Sequence, residues 1–403
     1  MTSPSPSEHS RSISDVDGRP AVAAQFALAP DLVHLNHGSF GALPRAVAAE
    51  QERWRSHIER DATSFFTFEL PGLMRQGAGC VAQRFGGRAD DWVFCENATS
   101  AVNGVLAGLP LEPGDEIVTT SHAYGAVLKA MRAWAARRGA GVVVANLPIP
   151  LKSADEVVEA VAAALGPRTR LLIVDHITSA TAVILPVKRL VELAHESGIP
   201  VLVDGAHAPG QLAVDVPSIG ADWYTGNAHK WLFAPRGCGL LWTHPARQSE
   251  TLPAILSHGT DGGYTAAFDW VGTRDVTPWL CFEAGAQAHD VFGGAGLMER
   301  NRLLALAGAE ILAQSLGAIA SAPPHMRAAM AALSVGDASG DAQLAINLRQ
   351  VLVRDYGVVV PVHAFAGKVW LRISAQIYNH RDDYHRCAEA FAAAAKDVGL
   401  QVS

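Results

Sequence analysis

The chain has 403 residues, with 32 Lys and Arg against 39 Asp and Glu, a formal net charge of −7, and 49% hydrophobic against 18% charged residues. This composition suffices for a sizeable core and two domains, and it excludes disorder over most of the length. A negative balance without a Lys/Arg cluster excludes nucleic acid as a main partner. No stretch approaches the roughly 18 uninterrupted apolar residues of a membrane span, since the candidate near 154–165 is broken by Asp155, Glu156 and Glu159.

In chain order, residues 1–30 read as a flexible arm. MTSPSPSEHSRSISDVDG is Ser/Pro-rich and carries acids where a secretory leader needs a basic start, so a cytoplasmic location is expected. Residues 31–270 alternate short β-branched runs with Ala/Leu-rich amphipathic stretches. Strands are predicted at 92–94, 116–119, 141–145, 170–174, 200–203, 223–224 and 239–242, and helices at 45–60, 74–85, 100–108, 123–138, 155–165 and 187–197. Runs such as LLIVD and PVLVD are continuous, as in strands covered on both faces. The pattern predicts a large α/β domain with a mainly parallel sheet, whose ligands gather at the carboxyl ends of its strands. Over 271–403 the alternation fades. A Gly-rich turn at 293–296, helices at 297–316, 341–356 and 382–398, and the strand-like VWLRIS predict a smaller α+β domain. Cys80, Cys95, Cys238, Cys281 and Cys387 are scattered singly and read as reduced thiols.

The chemistry concentrates in residues 201–242. A buried-type strand delivers Asp204 at its carboxyl end; Gly205 and His207 follow, and Lys230 lies further on in the turn AHKW. Singly, Asp204 is a turn former, His207 a hydrogen-bonded structural group and Lys230 a solvated lysine. Together they match the needs of pyridoxal phosphate. That cofactor requires a lysine for its aldehyde, a carboxylate for its pyridine nitrogen and donors for its phosphate. Asn97, Thr99 and Ser100, just ahead of an apolar helical run, supply the donors at a helix N-terminus.

DGAHAPG followed by the GNAHKW lysine turn resembles the class V aminotransferase group of fold-type I pyridoxal phosphate enzymes. LNHGSFGALP (35–44), NATSAVN (97–103), DHITSATAVILP (175–186), GTRD (272–275) and LRISAQIYN (371–379) resemble isopenicillin N epimerase and its relatives. The match runs from about Leu35 to Asn379 and implies a seven-stranded, mainly parallel sheet. It implies that Lys230 bonds the cofactor and moves the Cα proton, that Asp204 pairs with the ring nitrogen, and that His207 lies near the phenolic oxygen. His122 would stack on the ring. Ala98, Thr99, Asn227 and His229 match phosphate-side positions, with Asn at 227 in place of the usual serine. Ser179 stands where many relatives have an Asn that contacts the phenolic oxygen. Thr273 corresponds to a residue reaching the neighbouring subunit's phosphate, which implies a homodimer with shared sites. Arg372 matches the arginine for the substrate carboxylate, a role suited to its planar fork; Asn36 and Tyr124 would join it at the substrate.

No Cys occurs between Cys281 and Cys387, where the group's cysteine desulfurases carry a nucleophile, so persulfide-forming desulfuration is not expected. His34 with His37, and His380 with His385, lack acidic or thiol partners at ligand spacing, and no metal is expected. No GxxxxGK[ST] or strand-linked GxGxxG is present. The expected activity lies at Cα of an amino acid: epimerisation, with β-elimination from a sulfur conjugate or transamination as alternatives.

Overall fold

The computed structural model describes residues 21–338 and 342–400. Two compact units emerge: Leu43–Ser179 with Ile184–Val291 form one, and the described residues up to Ala42, Ala180–Val183 and the described residues from Phe292 onward form the other.

The larger unit is built on seven strands: β1 (Trp92–Cys95), β2 (Glu116–Thr120), β3 (Gly141–Ala145), β4 (Thr169–Asp175), β5 (Val201–Gly205), β6 (Trp223–Asn227) and β7 (Gly239–Thr243). Their order is β1-β7-β6-β5-β4-β2-β3. Only β7 runs against its neighbours, so the other six point one way. β4, β5 and β6 are buried at nearly every position, the mark of strands sandwiched between helical layers. The helices among these strands are α1 (Arg45–Ile58), α2 (Leu70–Phe85), α3 (Ala98–Gly108), α4 (Gly125–Arg137), α5 (Ala154–Ala164), α6 (Val187–His195) and the single turn α7 (Ala228–Trp231). In α6 the buried residues are Val187, Leu190, Val191 and Ala194, spaced to form one apolar stripe. Ser153 caps α5 by accepting the Glu156 N–H. The expected mainly parallel seven-stranded sheet is therefore observed.

The smaller unit holds an antiparallel sheet of β8 (Ile319–Ala320), β9 (Met330–Asp337), β10 (Val362–Phe365) and β11 (Lys368–Ser374), ordered β10-β11-β9-β8. α8 (Ala295–Leu316), α9 (Ala342–Tyr356) and α10 (Arg381–Asp397) belong to the same unit. β9 reads MAALSVGD, an Ala/Leu-rich segment that does not announce a strand; it is one because nearly all of it is buried beside β11.

The division differs from a boundary at residue 270. Val33–His34 pairs in parallel with Val358–Val359, and the Ser374 N–H donates to the Leu35 carbonyl at 3.0 Å, which ties this early segment to the smaller unit. Of the expected arm, residues 1–20 lie outside the described residues. Ala21–Gln25 form a 3-10 turn, and buried Phe26 lies 5.1 Å from the Tyr378 ring, centre to centre. Among the described residues no helix is long and apolar enough to cross a membrane.

Leu202 of β5 is 0% exposed within the cluster that includes Ile173, Trp223 and Leu241. Leu202→Ala is expected to cost about 2–5 kcal/mol, read as a lowered urea midpoint with unchanged slope. A loss below about 1 kcal/mol would contradict this packing.

Candidate active site

β1, β2, β4, β5 and β6 are mutually parallel, so their carboxyl ends open on one edge of the sheet. That edge receives Ala98 and Thr99 after β1, His122 and Tyr124 after β2, Ser179 after β4, His207 after β5, and Asn227 to Lys230 around the end of β6. Asp204 sits in β5 one residue from its end, in register with Asp175 of β4 and Thr225 of β6.

Asp204 is 3% exposed and accepts the Ala206 N–H at 3.0 Å. Burial pushes its carboxyl up, while that amide and the Lys230 charge pull it down. Lys230 Nζ lies 3.1 Å from His207 Nε2. His207 is held from behind: Trp231 Nε1 donates to its Nδ1 at 3.5 Å and Gln211 Nε2 donates to its carbonyl at 2.6 Å. Gly205 is required here, since a Cβ would meet the Tyr224 ring and hydroxyl at 2.3 Å. His122 is 2% exposed, and burial holds it down at about 4, so it is neutral at neutral pH. Tyr124 precedes α4 and is 46% exposed.

α3 begins at Ala98, two residues earlier than the predicted start. Asn97 is its N-cap, and the side-chain oxygen accepts the Ser100 N–H at 3.0 Å. Thr99 therefore stands inside the first turn, where the N–H groups of a helix start favour an anion. The Ala98 N–H donates to Asn227 Oδ1 at 2.8 Å, which leaves the Asn227 amide nitrogen as its donor side. Close approach shapes this corner: a Cβ on Gly239 would lie 2.6 Å from Asn97 Cα. His229 directs Nδ1 at the Cys238 carbonyl, 3.0 Å away, and burial, with the Lys230 charge next, pushes it down to about 4. Ser179 is half-buried after β4, and Thr273 is exposed between the helices Tyr264–Asp269 and Thr277–Leu280.

In the smaller unit, Arg372 of β11 is 4% exposed and donates from Nη2 to Ser39 Oγ at 2.9 Å and to Asn36 Oδ1 at 3.4 Å. His37, 0% exposed, is a structural group: its N–H donates to Ser374 Oγ, and its ring reaches Tyr378 Oη at 2.9 Å and Gln376 Nε2 at 3.1 Å.

The donor set of the sheet edge fits pyridoxal phosphate. A buried carboxylate, a lysine beside a histidine, a neutral histidine and an eleven-residue helix presenting its N-terminus meet the demands of ring nitrogen, aldehyde, ring face and phosphate in turn. Asp175 escaped the sequence reading. Its signal was available, since two adjacent buried strands, LLIVD and PVLVD, both end in Asp.

Comparisons with known proteins agree. Residues 43–386 match the aminotransferase class-V family. The chain is 32% identical over 387 residues to isopenicillin N epimerase of Streptomyces clavuligerus, covering 92% of this chain and 96% of that one. It is 30% identical over 398 residues to the probable chloroplastic L-cysteine desulfhydrase of Arabidopsis thaliana, covering 91% and 84%. The cysteine desulfurase CsdA of Escherichia coli shares the fold with a TM-score of 0.75 at 22% identity, over 95% of this chain and 99% of that one. These findings overturn the exclusion of persulfide-forming cysteine desulfuration. The missing thiol between Cys281 and Cys387 was weak ground for it, because the chain shares its fold with a cysteine desulfurase and most of its length with desulfhydrases. With its family matched over most of its length and its fold shared with these enzymes, the chain belongs to the aminotransferase class-V family of fold-type I enzymes, whose cofactor is pyridoxal phosphate.

Proposed function

We propose that this enzyme is a C–S β-lyase of the cysteine desulfhydrase type, acting on cysteine or a cysteine conjugate. The observation that carries the reading is the asymmetry of its acid–base groups. Lys230 Nζ and His207 Nε2 lie together, 3.1 Å apart, whereas His122 is held neutral by burial, at about 4. β-Elimination needs one base that takes the Cα proton and passes it on; epimerisation needs a second acid for the opposite face.

In this reading Lys230 holds the cofactor's aldehyde and moves the Cα proton, with His207 beside it. Asp204 would pair with the ring nitrogen and favour its protonated form, and His122 would face the ring. Ala98, Thr99, Asn227 and His229 bind the phosphate. Arg372, with Asn36 on its guanidinium, receives the substrate carboxylate. The bound cofactor supplies an electron sink for the pair left at Cα. The Cα–H and Cβ–S bonds break, and the proton passes from Cα through Nζ to the departing sulfur. Overall, cysteine and water give pyruvate, ammonia and sulfide. The reading includes a homodimer. Thr273 is exposed, and Phe68, Ile255 and Leu256 of the same unit are 76%, 56% and 63% exposed in the single chain.

Epimerisation is the second reading. The epimerase relative favours it, and the half-exposed phenol of Tyr124 is the second-face donor it requires.

Incubation of the pyridoxal phosphate-loaded enzyme with L-cysteine or an S-substituted cysteine in deuterated water separates the two. Equal release of pyruvate and of sulfide or thiol is expected. Intact substrate carrying deuterium at Cα, without pyruvate, would overturn the lyase reading in favour of epimerisation. Lys230→Ala is expected to lower turnover at least about 1,000-fold and to remove the visible absorbance of covalently held cofactor. A variant with normal turnover would remove Lys230 from the chemistry.

A further inference from the structure

β4 and β5 are neighbouring parallel strands, and their register sets Asp175 directly opposite Asp204. Side chains alternate between the faces of a sheet, so in-register partners project to the same face, with backbones about 4.8 Å apart. Both residues are buried, at 5% and 3% exposure. Asp204 accepts the Ala206 N–H. Asp175 is faced by its own backbone amide and by that of Tyr124, at the start of α4.

The groups around this pair are few. From α7, Lys230 is the cation acting on both carboxyls. From the turn after β2, His122 is neutral, as is His176, which directs Nδ1 to Tyr224 Oη of β6 at 2.9 Å. Two buried carboxyls facing one ammonium exceed it by one negative charge. Like charges held together in a low-dielectric site retain a proton between them.

We propose that Asp175 is a positioning residue for the cofactor: it shares one proton with Asp204, sets how strongly Asp204 draws a proton to the ring nitrogen, and fixes the His122–Tyr124 turn beside it. The shared proton is released to solvent when a second cation, the protonated ring nitrogen, is set against Asp204. Asp175 thereby makes the free site electrically tolerable and the loaded site more strongly electron-withdrawing. The inference builds on the pyridoxal phosphate assignment and is independent of which substrate is turned over.

The sign of the pH dependence follows. A carboxyl whose proton affinity is raised in the folded state contributes stability below the ordinary carboxylate range, and that stability is lost as pH rises through the folded value. The cofactor-free protein should therefore lose melting temperature as pH rises above the ordinary carboxylate range. Asp175→Asn and Asp204→Asn should each retain less than about half of the wild-type loss, so that the two retained losses sum to less than the wild type's. Losses that sum to the wild-type value would mean independent carboxyls and overturn the proposal. Should either variant fail to fold, infrared spectroscopy of the cofactor-free wild type decides. A protonated-carboxyl band at neutral pH that vanishes on adding pyridoxal phosphate is expected, and its absence overturns the proposal. In the loaded enzyme, Asp175→Asn should lower the pH at which the visible absorbance titrates by about one unit; an unchanged midpoint would overturn it. The cofactor-free arms need no ligand, so their failure is distinct from a failure to bind pyridoxal phosphate.

Discussion

A carboxylate at 3% exposure is costly to keep ionised, and the corner of the sheet around Asp204 is organised by that cost. Water is largely excluded, so the compensation comes from fixed partners: the Ala206 amide on one oxygen and the Lys230 charge nearby. A protonated pyridine nitrogen is the natural further partner. It converts an expensive buried charge into an ion pair and gains from the same low dielectric that penalises the free site.

The surrounding packing keeps that charge in place. Continuous apolar runs bury β4, β5 and β6 on both faces, which fixes their register and so which side chains meet at the edge. Gly205 lets the Tyr224 ring lie against the backbone next to Asp204. Trp231 and Gln211 hold His207, which in turn meets Lys230. α3 brings its N-terminus to the same edge because Asn227 accepts the Ala98 amide and Gly239 admits Asn97 at close range. A ring nitrogen, an aldehyde and a phosphate would therefore be met by a strand end, a one-turn helix and a helix start on one sheet edge. Such a division of labour lets substrate preference vary within a family while the cofactor frame stays fixed.

Much of this was legible in the sequence. The strand-end placement of Asp204, the lysine turn and the polar start of α3 follow from apolar runs that stop at polar residues, and the strand–helix alternation dictates the parallel sheet. What escaped depends on long-range pairing. Asp175 looked like an ordinary strand terminus because its meaning lies in the register with Asp204. β9 was missed because alanine and leucine carry no strand signal until β11 lies beside them. The early segment Val33–His34 could not be assigned to the smaller unit without its partner, Val358–Val359. The exclusion of persulfide-forming desulfuration failed for a different reason. It took one missing thiol as decisive, although the frame that binds the cofactor is common to enzymes that part with sulfur in different ways.

The central claim is that Lys230 is the covalent attachment point on this edge. Borohydride reduction of the pyridoxal phosphate-loaded protein, followed by proteolysis and peptide mass spectrometry, tests it most directly. The expected result is one modified peptide carrying the cofactor's mass on Lys230. Modification at Lys129, Lys152, Lys188, Lys368 or Lys396 in its place, or no stable modification, would contradict the assignment of the site.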